Sequence, residues 1–384
     1  MTATTTANPL DLLDNPFWYR DLPPERDVHS LHDGVYAITG NAAVRAALSH
    51  PDILAEHPLK ASARAFGPNV LDADGSEHRS FRALLAPALS RGRIAEYQQQ
   101  LMPDLVDALV DELLGVESSA FYDTYAHRVP YGIVCTILGI DRELESRFHS
   151  LTRPLARLLD FPTVESEQTH LNTAELLALI EEQRAERSGD GDSLLEKIER
   201  TRERKGITLS DSEVRSTALL FFIAGTETSS AFITSLVYCM GRQMFGMEEL
   251  ADETVRDAFI DETLRMFPPV QTAVRFAVED VDIAGVTIPR HSAVLTSIAG
   301  ANRDPRIFAH PDRFDVTRSH KDSMPFAAGA HSCPGMRLAK AEFGVLIDSI
   351  AGRCSQVAVT QDSRALESQA FAHPVDFTVR FTTK

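Results

Sequence analysis

The stretch "FAAGAHSCPGMRLA", Phe326 to Ala339, decides how the rest of this chain is read. It packs a histidine, a cysteine and two glycines into a loop, and a helix follows. Pro334 suits the first turn of a helix, where its missing N–H costs nothing. The residues "GMRLAKAEFGVLIDSI" continue with helical spacing of apolar side chains. Cys333 is therefore expected at a helix N-terminus, where free N–H groups and the helix dipole favour a thiolate. A thiolate is a nucleophile or a metal ligand. A nucleophile needs a base, and His331, two residues away in a turn, need not face the sulfur. A zinc site takes about four ligands, and only this cysteine and histidine are local. A single thiolate satisfies a haem iron held by one protein ligand, and glycines let backbone approach a flat ring closely. The residues alone leave a second reading open, a buried core cysteine at a helix start.

The remainder of the chain bounds the choice. Its 384 residues suffice for a sizeable core. Lysine plus arginine number 38 and aspartate plus glutamate 55, a formal net charge of −17 that argues against a nucleic-acid partner. The four cysteines, Cys135, Cys239, Cys333 and Cys354, are too dispersed for a small disulfide framework. The start, "MTATTTANPLDLLDNP", lacks the basic region and apolar core of a signal peptide. These features predict a reduced, cytoplasmic protein. The most apolar run, "STALLFFIAGTETSSAFITSLVYCM", has the length of a membrane span. Glu227 and several hydroxyl side chains inside it favour a buried central helix and no membrane.

Local patterning is mostly helical. "RDVHSLHDGVYAITG" alternates like two strands around a turn at His32–Gly34, and "NAAVRAALSHP" reads as a short helix. From residue 77 to about 204 helical spacing dominates, closing at Gly206 as a C-cap. Ser210 and Glu213 form a capping-box pattern that opens the long apolar helix. Strand-like texture lies in about 25–40, 270–300 and 355–384. Nothing marks a linker, so residues 1–384 are expected to form one mainly α domain with small sheets.

"FAAGAHSCPGMRLA" resembles the haem-binding signature of the cytochrome P450 family, Phe-x-x-Gly-x-His-x-Cys-x-Gly-x-x-Leu-Ala. Phe326, Gly329, His331, Cys333, Gly335, Leu338 and Ala339 all fall on their positions. Ala327 departs from a frequent glycine and Pro334 from a frequent aliphatic residue. The resemblance implies the P450 fold, haem b as cofactor, and Cys333 as its axial thiolate, with the N–H groups of Gly335 and Met336 tempering the charge. It extends over most of the chain, from about Asp74 onward.

Three further motifs take meaning from that resemblance. Glu262-Thr-Leu-Arg265 can pair one helical turn apart, and the family pattern adds Arg318 to a buried network. "AGTET", Ala224 to Thr228, lies within the apolar helix. There Thr228 can bond back to the Ala224 carbonyl and bend the helix, while Glu227 is a costly buried charge. The resemblance makes Glu227 and Thr228 the acid and alcohol of an oxygen-activating groove. His78 and Arg82, in "SEHRSFR", share a helix face. The family presents them to haem propionates, with Arg275 and His331 as the other partners. By family position Phe66, Leu159, Phe161, Val270, Thr272 and Phe371 face the substrate.

The implied activity is a haem-thiolate monooxygenase inserting one atom of dioxygen into a small organic molecule in specialised metabolism. The chain carries no flavin or iron–sulfur domain, so a ferredoxin or flavodoxin with its reductase is the expected electron source, and a monomer the expected state. Arg91, Arg93, Arg337 and Lys340 are candidates for docking that acidic carrier. Two alternatives remain: an atypical oxidation (coupling, nitration, ring closure or peroxide-driven chemistry), and a non-catalytic haem-thiolate sensor.

Overall fold

The computed structural model describes residues 18–58, 60–160, 165–186, 191–243, 245–367 and 371–384. Helices dominate. In chain order they are α1 (Asn41–Leu48), α2 (Ala61–Phe66), α3 (Gly75–Leu85), α4 (Arg91–Gln100), α5 (Met102–Leu113), α6 (Arg128–Leu138), α7 (Glu145–Thr152), α8 (Arg157–Asp160), α9 (Glu167–Glu186), α10 (Leu194–Lys205), α11 (Asp211–Gln243), α12 (Met247–Leu250), α13 (Glu253–Met266), α14 (Ile298–Ala301) and α15 (Met336–Arg353). A π-helical turn, Tyr122–Ala126, precedes α6.

The strands are β1 (Val28–His32), β2 (Val35–Ile38), β3 (Ile53–Leu54), β4 (Glu117–Ser118), β5 (Thr272–Ala277), β6 (Val281–Ile283), β7 (Val286–Ile288), β8 (Ala293–Ser297), β9 (Cys354–Glu367) and β10 (His373–Thr383). They make a five-stranded sheet in the order β1-β2-β8-β5-β3, a three-stranded sheet β4-β10-β9, and the hairpin β6-β7. The β2–β8 pair is parallel; every other pair is antiparallel. The architecture is mainly α with small sheets.

The helix α11 organises the core. It opens on the capping box read in the sequence: the Ser210 N–H donates to Glu213 Oε2 at 2.6 Å, and the Glu213 N–H donates to Ser210 Oγ at 3.3 Å. Its interior residues Phe222, Ile223, Phe232, Ile233, Leu236 and Val237 are buried in the main hydrophobic cluster with α5, α6, α13 and α15 side chains. The window of α11 that is long and apolar enough to cross a membrane is 83% buried inside the protein. Gly225 has a packing reason rather than a bending one. A Cβ there would lie 3.2 Å from Val134 Cγ2 of α6, so its absence lets the two helices approach.

The preceding helix α10 ends at Gly206 in the left-handed region (φ 59°), the C-cap that its position suggested. The β1–β2 hairpin turns at Asp33–Gly34, as its alternation predicts.

Candidate active site

The cysteine loop is closed on itself and pinned to the small-sheet region. The Cys333 N–H donates to the Phe326 carbonyl at 2.9 Å, and the Ser332 N–H to that of Gly329 at 3.1 Å. Gly329 has φ 73°, and a Cβ there would stand 2.2 Å from the Leu48 carbonyl oxygen of α1. Only glycine meets both conditions. Upstream, Asn302 Oδ1 accepts the Met324 N–H at 2.7 Å, and the Asn41 side chain donates to the carbonyls of Ala301 and Asp322. The segment Ala301–Pro305 thus positions the start of the loop.

One sequence reading of this loop is corrected. Pro334 is not in the first turn: α15 begins at Met336 with Gly335 as its N-cap, so the proline sits in the turn before the helix. The loop needs the extra residues to bring the N–H groups of both Gly335 and Met336 onto the Cys333 sulfur. Ala327, where glycine is frequent in the family pattern, adopts φ 58°, a left-handed conformation that carries strain in a residue with a Cβ. Cys333 keeps exposed surface, while Cys135, Cys239 and Cys354 are buried and free. The dense packing behind Cys333 pushes its thiol up; the Gly335 and Met336 N–H groups and the Arg82 charge pull it back down.

Cationic and imidazole groups gather beside this loop. The His78 and His331 rings lie with centroids 4.1 Å apart, tilted by 32°. His78 is buried and its Nε2 has no hydrogen-bond partner among the described residues. Burial, with the neighbouring His331 and Arg82, pulls the His78 imidazole down to about 4. His331 bonds through Nε2 to Asp74 Oδ1 at 2.8 Å. Asp74, which the sequence reading passed over, also takes the N–H groups of Ala55 and Glu56 on its other oxygen. Arg82 donates to the Ser332 carbonyl at 2.8 Å, tying α3 to the cysteine loop. Arg275, on β5, is buried and makes a hydrogen bond to its neighbour's carbonyl, Val274. Burial lowers its guanidinium, although Asp74 and Asp72 favour the charge.

On α11 the helix runs unbroken through Ala224–Thr228. The expected opening of its ladder is not present; the Thr228 hydroxyl donates to the Ala224 carbonyl at 2.6 Å within a continuous helix. Ala224 is exposed and Thr228 half-buried, one turn apart, while Phe222, Ile223, Thr226, Glu227 and Ser229 around them are buried. That leaves an open stripe on an otherwise enclosed helix.

Glu227 turns to other partners. Tyr131 Oη of α6 lies in very short hydrogen-bond contact with its Oε1, and Tyr122 Oη is 3.4 Å from Oε2. Burial raises this carboxyl, and the Tyr131 hydroxyl and the more distant Arg153 charge hold it partly down. Neither tyrosine was singled out in the sequence, because both lie about a hundred residues away and only packing brings them to α11.

The Glu262–Arg265 motif lies fully buried at the end of α13. Arg265 donates to both Glu262 oxygens at 2.8 Å and to the carbonyls of Asn302 and Pro311. Arg318 Nε is 3.5 Å from Glu262 Oε1, and His320 Nε2 bonds Oε2 at 2.9 Å. His320 was not anticipated. Glu342 is another buried carboxyl missed: it interrupts the apolar stripe of α15 between Leu338 and Leu346, a legible signal. Burial pushes it up to about 8, with Ser229 of α11 its hydrogen-bonding neighbour.

Of the expected substrate residues, Leu159, Val270 and Phe371 meet in one cluster with Ala156, Ala231 of α11 and Tyr122. Phe66 is buried in the main core. Thr272 is buried, and its hydroxyl accepts the Trp18 indole N–H at 3.1 Å. Phe161 lies outside the described residues. Among the surface cations, Arg93 pairs with Glu96 and Asp192 and Lys340 with Asp261, so both are already neutralised; Arg91 and Arg337 are exposed.

The donor set fits a haem. One accessible cysteine sulfur carries backbone N–H donors. Beside it stand an unpartnered buried imidazole and a buried guanidinium, groups that suit carboxylates. Comparisons with known proteins agree. Residues 164–364 match the sequence model of the family described as Cytochrome P450. The chain is 30% identical over 366 residues to the 6-deoxyerythronolide B hydroxylase of Saccharopolyspora erythraea, covering 88% of each. It is 30% identical over 371 residues to the vitamin D(3) 25-hydroxylase of Pseudonocardia autotrophica, covering 90% of each. Among solved structures, CalO2 superposes with a TM-score of 0.85 at 24% identity, covering 100% of this chain and 99% of that one. The chain belongs to the cytochrome P450 family. It is a haem-thiolate monooxygenase, its haem held by a cysteine thiolate.

Proposed function

We propose that residues 1–384 act as one domain that binds haem b through Cys333 and oxygenates a bulky, mostly apolar small molecule in bacterial specialised metabolism. The observation that carries this reading is the Cys333 sulfur at the start of α15, held by two backbone N–H groups, beside the His78–Arg82–Arg275–His331 group. In it, those four residues hold the haem propionates, and Cys333 and Gly335 form the thiolate turn. When bound, haem supplies the reductive activation of dioxygen, and the thiolate favours O–O cleavage.

The chain's own residues supply the rest. Leu159, Val270 and Phe371 give an apolar wall against which substrate packs. Glu227 and Thr228 deliver protons from the α11 side. The substrate class is supported by relatives whose names specify hydroxylation of 6-deoxyerythronolide B and of vitamin D(3). Electrons come from a separate ferredoxin or flavodoxin and its reductase, and the protein works as a cytoplasmic monomer. Titrating candidate macrolides and sterol-like compounds into the purified ferric protein tests the reading. A bound substrate displaces the water ligand and shifts the Soret band. Failure of every such compound to shift it, in protein with a thiolate-type carbonyl spectrum, would remove the proposed substrate class.

A further inference from the structure

Glu227 is buried, yet its carboxyl is not joined to any cation by a hydrogen bond or ion pair among the described residues. Its nearest partner is the Tyr131 hydroxyl. That hydroxyl is in turn 2.6 Å from Thr152 Oγ1 at the end of α7, and Thr152 Oγ1 is 2.9 Å from the Phe148 carbonyl. Counting protons along this line constrains it. Tyr131 and Thr152 have one hydroxyl proton each, and the Phe148 carbonyl has none. When Glu227 is protonated, its O–H donates to Tyr131, Tyr131 donates to Thr152, and Thr152 donates to Phe148. When Glu227 is ionised, Tyr131 turns its O–H to the carboxylate and Thr152 turns its own to Tyr131. Two hydroxyl rotations convert one pattern into the other. The Phe148 carbonyl, and the His149 carbonyl 3.4 Å from Thr152 Oγ1, give up this side-chain donor.

We propose that Tyr131 and Thr152 form a hydrogen-bond chain that reverses its direction with the charge of Glu227, so that this buried carboxyl can gain and lose a proton without being left unsatisfied. Ionisation of Glu227 releases its proton to an acceptor on the α11 side, and reprotonation restores the first pattern; no bond other than O–H is made or broken. Tyr131 is then a positioning residue. The inference rests on the proposed proton-delivery role of Glu227 for its use in turnover, although the chain itself stands on geometry.

The surroundings suit it. An unpaired buried donor or acceptor costs about as much as a lost hydrogen bond, and a chain with two directions avoids that in both states. Burial holds the Tyr131 phenol well above its ordinary range, so it remains an O–H donor. Tyr122, half-buried in the π-helical turn, adds a second hydroxyl at 3.4 Å. Arg153 lies over the Tyr122 ring at 5.5 Å and is paired with Asp123, supplying a longer-range positive field. His127 and His149 stack at 4.0 Å and meet the Tyr131 ring edge-on. Burial lowers both imidazoles, that of His127 to about 4. His373 stacks on Tyr122 at 3.9 Å.

The test is an infrared pH titration of the resting ferric holoenzyme, which needs no turnover. Glu227→Gln identifies the carboxyl C=O band, and ring-labelled tyrosine with Tyr131→Phe identifies the phenol C–O band of Tyr131. The expected result is that the Tyr131 band shifts at the same midpoint as Glu227 titrates, as its O–H passes from the neutral Thr152 hydroxyl to the charged carboxylate. In Tyr131→Phe the carboxylate loses a charge-assisted hydrogen bond and the protonated form only a weaker neutral one, so the Glu227 midpoint should rise by about one pH unit. A Tyr131 band that stays constant while Glu227 titrates overturns the chain. So does a Glu227 midpoint that is unchanged in Tyr131→Phe, or a Glu227 that keeps one protonation state wherever the fold survives. If Tyr131→Phe does not fold, the co-titration of the two bands in the parent decides alone. Product per reducing equivalent in Glu227→Gln is a separate measurement: no change there removes proton delivery by Glu227, and leaves the infrared result to judge the chain.

Discussion

Arg265 and Glu262 face each other one helical turn apart with no solvent exposure, joined by a bidentate pair of 2.8 Å hydrogen bonds. The pair is not isolated. The Asp315 N–H donates to Glu262 at 2.8 Å, and Arg318 and His320 approach it from the same loop. One helix end is thereby tied to the segment that leads into the cysteine loop. Burial alone would push Glu262 up, but Arg265, His320 and the Asp315 N–H hold it at about 2.

Removing Glu262 leaves Arg265 buried without its counter-charge. Glu262→Ala is expected to lose about 3–5 kcal/mol and to retain haem poorly, measured by denaturant unfolding and the haem-to-protein absorbance ratio. A variant that melts like the parent would refute the structural role. The pH dependence has a definite sign. Because the folded carboxyl lies below its ordinary value, its contribution is complete above about 4.5 and is lost as pH falls toward about 2.

Glu342 predicts the opposite pH dependence. Its folded value is raised to about 8, so its favourable contribution is complete below about 4.5 and declines as pH rises through 8. Glu342→Gln should flatten the fall in melting temperature between pH 5 and 9 (roughly the window its shift defines). Parallel melting curves for parent and variant across that window would show that Glu342 is ionised in the fold.

Cys333→Ser should leave most of the fold intact, because the side chain is small and partly accessible, and abolish thiolate ligation. The reduced carbonyl complex of the parent should absorb at the long-wavelength Soret position of a thiolate complex, and the variant should not. An unaltered carbonyl spectrum would mean that another residue ligates the iron.

Thr228→Ala should keep haem and substrate binding. Among the described residues its hydroxyl bonds only the Ala224 carbonyl of its own helix, and α11 is continuous there. Reductant consumption should continue while hydrogen peroxide replaces much of the oxygenated product. The ratio of product to reducing equivalent, parent against variant, checks this, and an unchanged ratio would assign proton delivery to another group.

Ala327→Gly should stabilise the protein. Position 327 has φ 58°, where a Cβ costs about 1–2 kcal/mol, offset in part by the extra freedom of glycine in the unfolded chain. A net gain of about 0.5–1 kcal/mol in denaturant unfolding is expected. Loss of stability would mean that the alanine methyl makes a contact worth more than the strain.

Much of this molecule was legible from residue order alone, because the signals were local. Gly206 ends α10, Ser210 and Glu213 cap α11, and the Phe326–Ala339 spacing marks the proposed thiolate turn. Each depends on side chains a few residues apart and on backbone rules that hold anywhere in a chain. Helix starts were less secure: Pro334 suits a first turn, but the two N–H groups directed at Cys333 require the turn to continue to Gly335. Gly225, a poor helix former inside α11, has a role that depends on Val134, ninety-one positions away. The partners of Glu227 were beyond any local pattern. A buried carboxyl in an apolar helix announces that something must satisfy it, but not what. Tyr131 and Tyr122 reach it only because α6 and the π-helical turn pack against α11. Residue order determined the cofactor loop and the need for a partner at Glu227; tertiary packing chose a phenol rather than a cation, since hydrogen-bond distance between such remote residues is set by how helices meet.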